Sequence, residues 1–199
     1  MTNAQPDVDC DNARFEYRVW GKHPRARKLL GKMATSESRE RVDDCYLLFS
    51  DSSWNVKVRD NILKIKQLIE EDEGFERWAS GKHRSANSAP SPFETLFADL
   101  NLDRPKRGKS YDLARAVSEL DPKLGVRAVF VVKDRHRFRI GGLRAEVTEV
   151  RIKETKQVLR TLSIEGDDLD ELVSLRKKLG LRDEPNTPVH HAIHPDENH

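Results

Sequence analysis

Residues Val126–Ile140 read VRAVFVVKDRHRFRI; Gly141-Gly142 follows, and Leu143–Ile152 reads LRAEVTEVRI. Successive side chains of an extended chain point to opposite faces, so Lys133, Arg135, Arg137 and Arg139 share one face while Val132, Phe138 and Ile140 take the other. The double glycine is a tight-turn signal, and the returning segment sets Glu146 and Thr148 against Ala145, Val147 and Glu149. An antiparallel hairpin with one charged face is predicted.

The same alternation recurs on both sides of this hairpin. Towards the C-terminus, Val158 to Glu165 reads as a third strand, followed by a helix capped by Asp167 or Asp168. Leu169, Leu172, Val173 and Leu179 form that helix's apolar face, Arg176-Lys177-Lys178 suit its C-terminal dipole, and Gly180 stops it. Towards the N-terminus, Phe15 to Trp20 reads as a strand, ended by Gly21, and Pro24 opens a short helix with Leu29, Leu30 and Met33 inward. Val42 to Phe49 is a second strand. Trp54–Arg59 and Ile62–Lys66 flank the turn Asp60-Asn61, and the acidic run to Gly74 ends that pair. Residues 79–92 read as a loop, and two short helices are expected around Phe93–Leu100 and Leu113–Leu120. The order is strand, helix, three strands, two helices, three strands, helix, which means antiparallel meanders and not β-α-β units. The expected organisation is a disordered N-terminus over 1–13, one domain over 14–181 and a flexible, histidine-containing tail over 182–199.

The chain has 199 residues with 36 Lys+Arg against 34 Asp+Glu, and 35% of its residues are charged. That length can bury a sizeable core, and the near-neutral balance by itself names no partner. No run approaches the ~18 apolar residues of a membrane-spanning helix, and the N-terminal residues lack a secretory apolar stretch. Cys10 and Cys45 have no zinc spacing. A soluble, cytoplasmic protein with no membrane partner is expected. Its oligomeric state is left open.

Where the charges sit is more informative than their sum. Lys57 and Arg59 share a face opposite Val56 and Val58; Lys64 and Lys66 oppose Leu63 and Ile65; Glu16 and Arg18 oppose Phe15, Tyr17 and Val19. If the apolar faces pack against helices, nine cations (Arg18, Lys57, Arg59, Lys64, Lys66, Lys133, Arg135, Arg137, Arg139) meet three anions (Glu16, Glu146, Glu165), a net charge of about +6. An ordinary solvated sheet face mixes signs, because like charges across strands repel. Arginine's planar fork and lysine's point charge both suit phosphate oxygens.

On these residues the chain resembles the CYTH superfamily of triphosphate tunnel proteins, most closely a bacterial CYTH-like branch. The passage Thr161 to Asp168 with its following helix resembles that family's last tunnel strand and closing helix; Arg137 to Val150 resembles the preceding hairpin, and Asn55 to Lys66 the paired basic strands. The resemblance implies an α+β fold, an antiparallel barrel of about eight strands with helices packed outside. It implies that Lys57, Arg59, Lys66, Lys133, Arg135 and Arg137 hold phosphates, and that Glu16, Glu146 and Glu165 bind Mg²⁺ or Mn²⁺. Members hydrolyse triphosphate compounds or, in one branch, cyclise ATP. The family's Glu-x-Glu-x-Lys strand departs here to Glu16, Arg18 and Trp20, and Thr148 stands where an acid often occurs. A hard cation favours carboxylate and water oxygens, so Arg18 among its ligands weakens a metal site.

Two functions follow. One is a metal-dependent triphosphatase-type hydrolase, with Glu165 and Glu146 as catalytic carboxylates. The other is a non-catalytic module that retains a triphosphate, nucleotide or polyphosphate on a degenerate metal site. The remaining candidates read more plainly. His190, His191, His194 and His199 fall in the polar tail, Cys45 is a buried thiol, and Trp54 and Trp78 are packing residues. The basic loop Arg104–Lys109 is a solvated connector, which weighs against a nucleic-acid partner.

Overall fold

The computed structural model describes residues 13–49, 53–60, 62–83 and 126–193. Eight antiparallel strands close into a barrel in the order β1-β5-β4-β3-β2-β6-β7-β8. They are β1 (Arg14–Trp20), β2 (Ser36–Leu48), β3 (Trp54–Arg59), β4 (Ile62–Asp72), β5 (Phe75–His83), β6 (Arg127–Ile140), β7 (Leu143–Ile152) and β8 (Val158–Gly166). Helix α1 (Pro24–Met33) follows β1, while α2 (Leu169–Leu179) and the short α3 (Val189–Ala192) follow β8. The α+β antiparallel barrel that the resemblance implied is present.

Three strands differ from the sequence reading. Strand β4 runs past the predicted end at Lys66 to Asp72, because its acidic residues pair with β5 through Glu71↔Glu76 and Asp72↔Phe75. The reading finds seven strands, and the eighth is β5, whose small residues Ala79, Ser80 and Gly81 resemble loop composition. Its pairing with β4, from Leu63↔His83 to Asp72↔Phe75, supplies what composition does not. Strand β2 begins at Ser36, six residues before the predicted start, because its polar first half pairs along β6 from Ser36↔Arg139 onward. The helices expected around 93–100 and 113–120, the loop after His83 and the segment 1–12 lie outside the described residues.

The central hairpin forms as predicted: Gly141, at φ 59°, turns the chain, and Ile140↔Leu143 begins a register running to Val131↔Ile152. Helix α2 is fixed at both ends. The Asp168 side chain accepts from the Glu171 N–H, and Gly180 at φ 73° closes the C-terminus. Outside the barrel, Leu172, Leu175 and Leu179 of α2 and Leu30 of α1 bury against Tyr17, Val19, Leu162 and Ile164. That outer core leaves the opposite strand faces to the lumen.

The lumen changes character along its length. On β6 the inward residues run Val129, Val131, then Lys133, Arg135, Arg137 and Arg139. At the apolar end Tyr46, Leu48, Val129, Val131, Val150 and Ile152 cluster with Val189 and Ile193. Residues 182–193, which polar composition assigns to the tail, therefore pack against the barrel. The recorded β1–β5 pairing stops at Glu16. Beyond it the Arg18 N–H donates to Asn186 Oδ1 (2.8 Å), the Thr187 N–H to the Arg18 carbonyl (2.9 Å), and Trp20 Nε1 to the Thr187 carbonyl (2.8 Å). His190 is buried edge-on to Trp78, with centroids 5.6 Å apart. The tail's polar groups thus satisfy a strand edge, and its two aliphatics fill the floor.

The outer core makes a direct prediction. Leu172 is fully buried against β1 and β8. Leu172→Ala is expected to lower unfolding free energy by about 2–5 kcal/mol, read from urea titration, because the barrel cannot collapse into the cavity left behind.

Candidate functional site

A cavity of about 450 Å³ occupies the polar part of the lumen. Eleven of the twelve residues predicted to face a common channel line it: Glu16 and Arg18 from β1, Lys57 and Arg59 from β3, Lys66 from β4, Lys133, Arg135, Arg137 and Arg139 from β6, Glu146 from β7, and Glu165 from β8. Lys64 shares the β4 face and stands opposite Lys57 but does not line the cavity. The cations converge instead of dotting an exterior, because barrel closure turns every second residue inward.

The expected surplus of positive charge is smaller in the structure. Asp44 of β2, whose side chain is 0% exposed, accepts both Arg59 Nε (2.5 Å) and Nη2 (2.7 Å) and lies 3.2 Å from Lys133 Nζ. Lys133 also donates to the Tyr46 hydroxyl at 2.5 Å. Glu40 of β2 accepts from Arg135 and Arg137. Glu146 accepts from Arg135 Nε (2.7 Å) and from the Thr148 hydroxyl (2.5 Å), Glu16 pairs with Lys66, and Arg144 Nη1 lies 3.2 Å from Glu165. Buried charges need such partners, since an isolated ion out of water is strongly disfavoured.

The titration of the acids follows from this wiring. Burial raises the Glu146 carboxyl, but Arg18 and Arg135 outweigh it and pull it down to about 2. Asp44 is likewise held well below the carboxylate range, its burial overcome by Arg59 and Lys133. Glu76 of β5 goes the other way, to about 7, because burial and the nearby Glu71 and Glu16 outweigh the Trp78 N–H that it accepts. Cys45 is buried and its thiol is pushed up to about 12, as suits an unreactive core residue.

No protein-family model matches the chain, and no curated protein matches it. Among solved structures, the PH1012 protein from Pyrococcus horikoshii OT3 superposes with a TM-score of 0.52 at 16% identity, covering 88% of this chain and 94% of that one. This chain has the triphosphate-tunnel fold. Weaker likenesses are a candidate adenylyl cyclase from Hippeastrum with a dominant triphosphatase activity (TM-score 0.43, 12% identity, 85% of this chain and 88% of that one) and a candidate adenylate cyclase from Bacillus halodurans (0.45, 12%, 87% and 91%).

In this tunnel the predicted metal carboxylates do not form a ligand set. Among the described residues no three Asp, Glu, His or Cys side chains converge to hold an ion. Glu16, Glu146 and Glu165 line one cavity, but each is engaged by its own cation. Arg18, where the resemblance implies a second acid, instead donates to Thr161 Oγ1 at 3.3 Å. A guanidinium at that position is no ligand for Mg²⁺ or Mn²⁺.

Several tunnel residues escape the sequence reading. Arg144 was legible, because it sits two residues before Glu146 on the same face. Asp44 carried a weaker signal: of the adjacent acids Asp43 and Asp44 on a strand, one must point inward. Glu76 belongs to the unread β5 and Glu40 to the unread half of β2.

Removing the Asp44 charge tests the wiring. Asp44→Asn is expected to destabilise the barrel by about 3–5 kcal/mol at pH 7 by stranding two cations, measured by thermal or chemical unfolding. The folded Glu146 titrates near 2 against 4.5 when free. Its contribution is therefore complete above pH 4.5 and lost as pH falls towards 2. Glu146→Gln should flatten the stability–pH curve over that window.

Proposed function

We propose that the tunnel binds a phosphate-rich small molecule, a triphosphate, nucleotide or polyphosphate, through its arginines and without a bridging divalent cation. Arg18 carries this reading. It lines the cavity, has no carboxylate in ion-pair range among the described residues, and occupies the place where the family strand has its second acid. A guanidinium there supplies directly the positive charge that a metal ion would otherwise bring to phosphate oxygens. Arg139, also on the cavity wall and without an ion pair among the described residues, extends the cationic surface. A cytoplasmic setting and a bacterial CYTH-like lineage complete the proposal.

Hydrolysis is the second reading, favoured by the presence of Glu16, Glu146 and Glu165 on one cavity wall. It needs those carboxylates to leave their cations for Mg²⁺ or Mn²⁺, with Glu165 and Glu146 serving the chemistry.

Calorimetry with tripolyphosphate separates the two. Binding is expected to be equal in EDTA and in Mg²⁺, with no phosphate released from tripolyphosphate or nucleoside triphosphates. Arg18→Gln should weaken affinity roughly tenfold or more, the worth of one charge-assisted contact. Turnover that EDTA and Glu165→Gln both abolish would establish the hydrolase instead.

A further inference from the structure

We propose that Lys57, on the wall of the tunnel, is a nucleophilic amine that captures phosphate-bearing aldehydes as an imine; the proposal rests on the reading of the tunnel as a phosphate-ligand site.

Among the described residues no carboxylate lies in ion-pair range of this amine. Lys57 Nζ and Lys133 Nζ both lie over the Tyr46 ring, at 5.3 and 4.6 Å from its centroid. The nearby buried carboxylate, Asp44, is already taken by Arg59 and Lys133. Lys57 itself has no ion pair or hydrogen bond among the described residues, yet it lines the cavity. The charged groups around it are mostly cations: Arg59 on its own strand, Lys64 and Lys66 on β4, Lys133 on β6 and Arg18 on β1, against Asp44 on β2 and Glu16 on β1. Its charged form is therefore disfavoured twice. Burial and then repulsion from Lys133 hold the amine well below the ordinary lysine range. A desolvated lysine beside another cation is the arrangement that makes an amine a nucleophile at neutral pH.

The surroundings suit a substrate carrying both phosphate and carbonyl. Arg18, Arg135 and Arg137 line the same cavity and present guanidinium forks to a phosphate group. Asn55 lies two residues before Lys57 on the same strand face, and its buried Oδ1 has no hydrogen-bond partner among the described residues. That oxygen is an acceptor for the hydroxyl of a carbinolamine. The step balances without a redox partner: the amine lone pair attacks the aldehyde carbon, the carbonyl oxygen leaves as water, and a C=N bond replaces C=O.

The test uses the full-length chain and pyridoxal 5′-phosphate, with borohydride to trap the imine and peptide mapping to locate it. One adduct on Lys57 at pH 7 is expected, and excess tripolyphosphate should protect it. Pyridoxal without the phosphate should label Lys57 roughly tenfold less, the worth of one charge-assisted contact. Label shared evenly with the exposed Lys22, Lys28 and Lys32 would overturn the proposal, as would equal labelling by pyridoxal. Tripolyphosphate calorimetry on the same unmodified protein keeps two failures apart. Binding without a Lys57 adduct removes this inference alone; neither binding nor adduct removes the phosphate-ligand reading as well.

Discussion

Closing an antiparallel sheet on itself forces half of every strand's side chains away from bulk water. In this chain many of those inward positions are charged, so the interior must neutralise itself or remain solvated. The Asp44 carboxylate, gripped by Arg59 and approached by Lys133, is the point where that demand is met most completely. The other ion pairs, Glu146 with Arg135, Glu40 with Arg135 and Arg137, and Glu16 with Lys66, repeat the solution nearer the mouth. What these pairings leave over, chiefly Arg18, Arg139 and Lys57, gives the tunnel its chemical personality.

A gradient is written into single strands. Strand β6 offers valines to the lumen at one end and lysine and arginines at the other, and β8 passes from Leu159 through Thr161 and Ser163 to Glu165. The inward register thus encodes a dry floor and a charged upper wall without any separate element. Arg18 and Trp20 on β1 obey the same rule, with the guanidinium in the cavity and the indole packed against the floor cluster.

Much of this was legible because period-two alternation is strong where one face is apolar and the other charged. Lys133 to Arg139 and Lys57 to Lys66 show it plainly, and their convergence followed once the sheet closed. The acidic strand β2 was only half visible, since Ser36 to Arg41 has no apolar face to betray it and owes its extension to pairing with β6. Strand β5 was hidden by small residues, and with it Glu76. The segment 182–193 was misleading for a third reason. Its order comes from main-chain carbonyls, one asparagine and two aliphatics, and none of these stands out in a polar composition. Charge compensation inside the tunnel is a tertiary property, so the surplus counted from alternation alone was too large.

Among the described residues, the seat taken by Asn186 to Ile193 stoppers the apolar end of the lumen with the chain's own C-terminal segment. If the tunnel takes a phosphate-rich guest, that stopper confines it, among the described residues, to the charged stretch of the lumen.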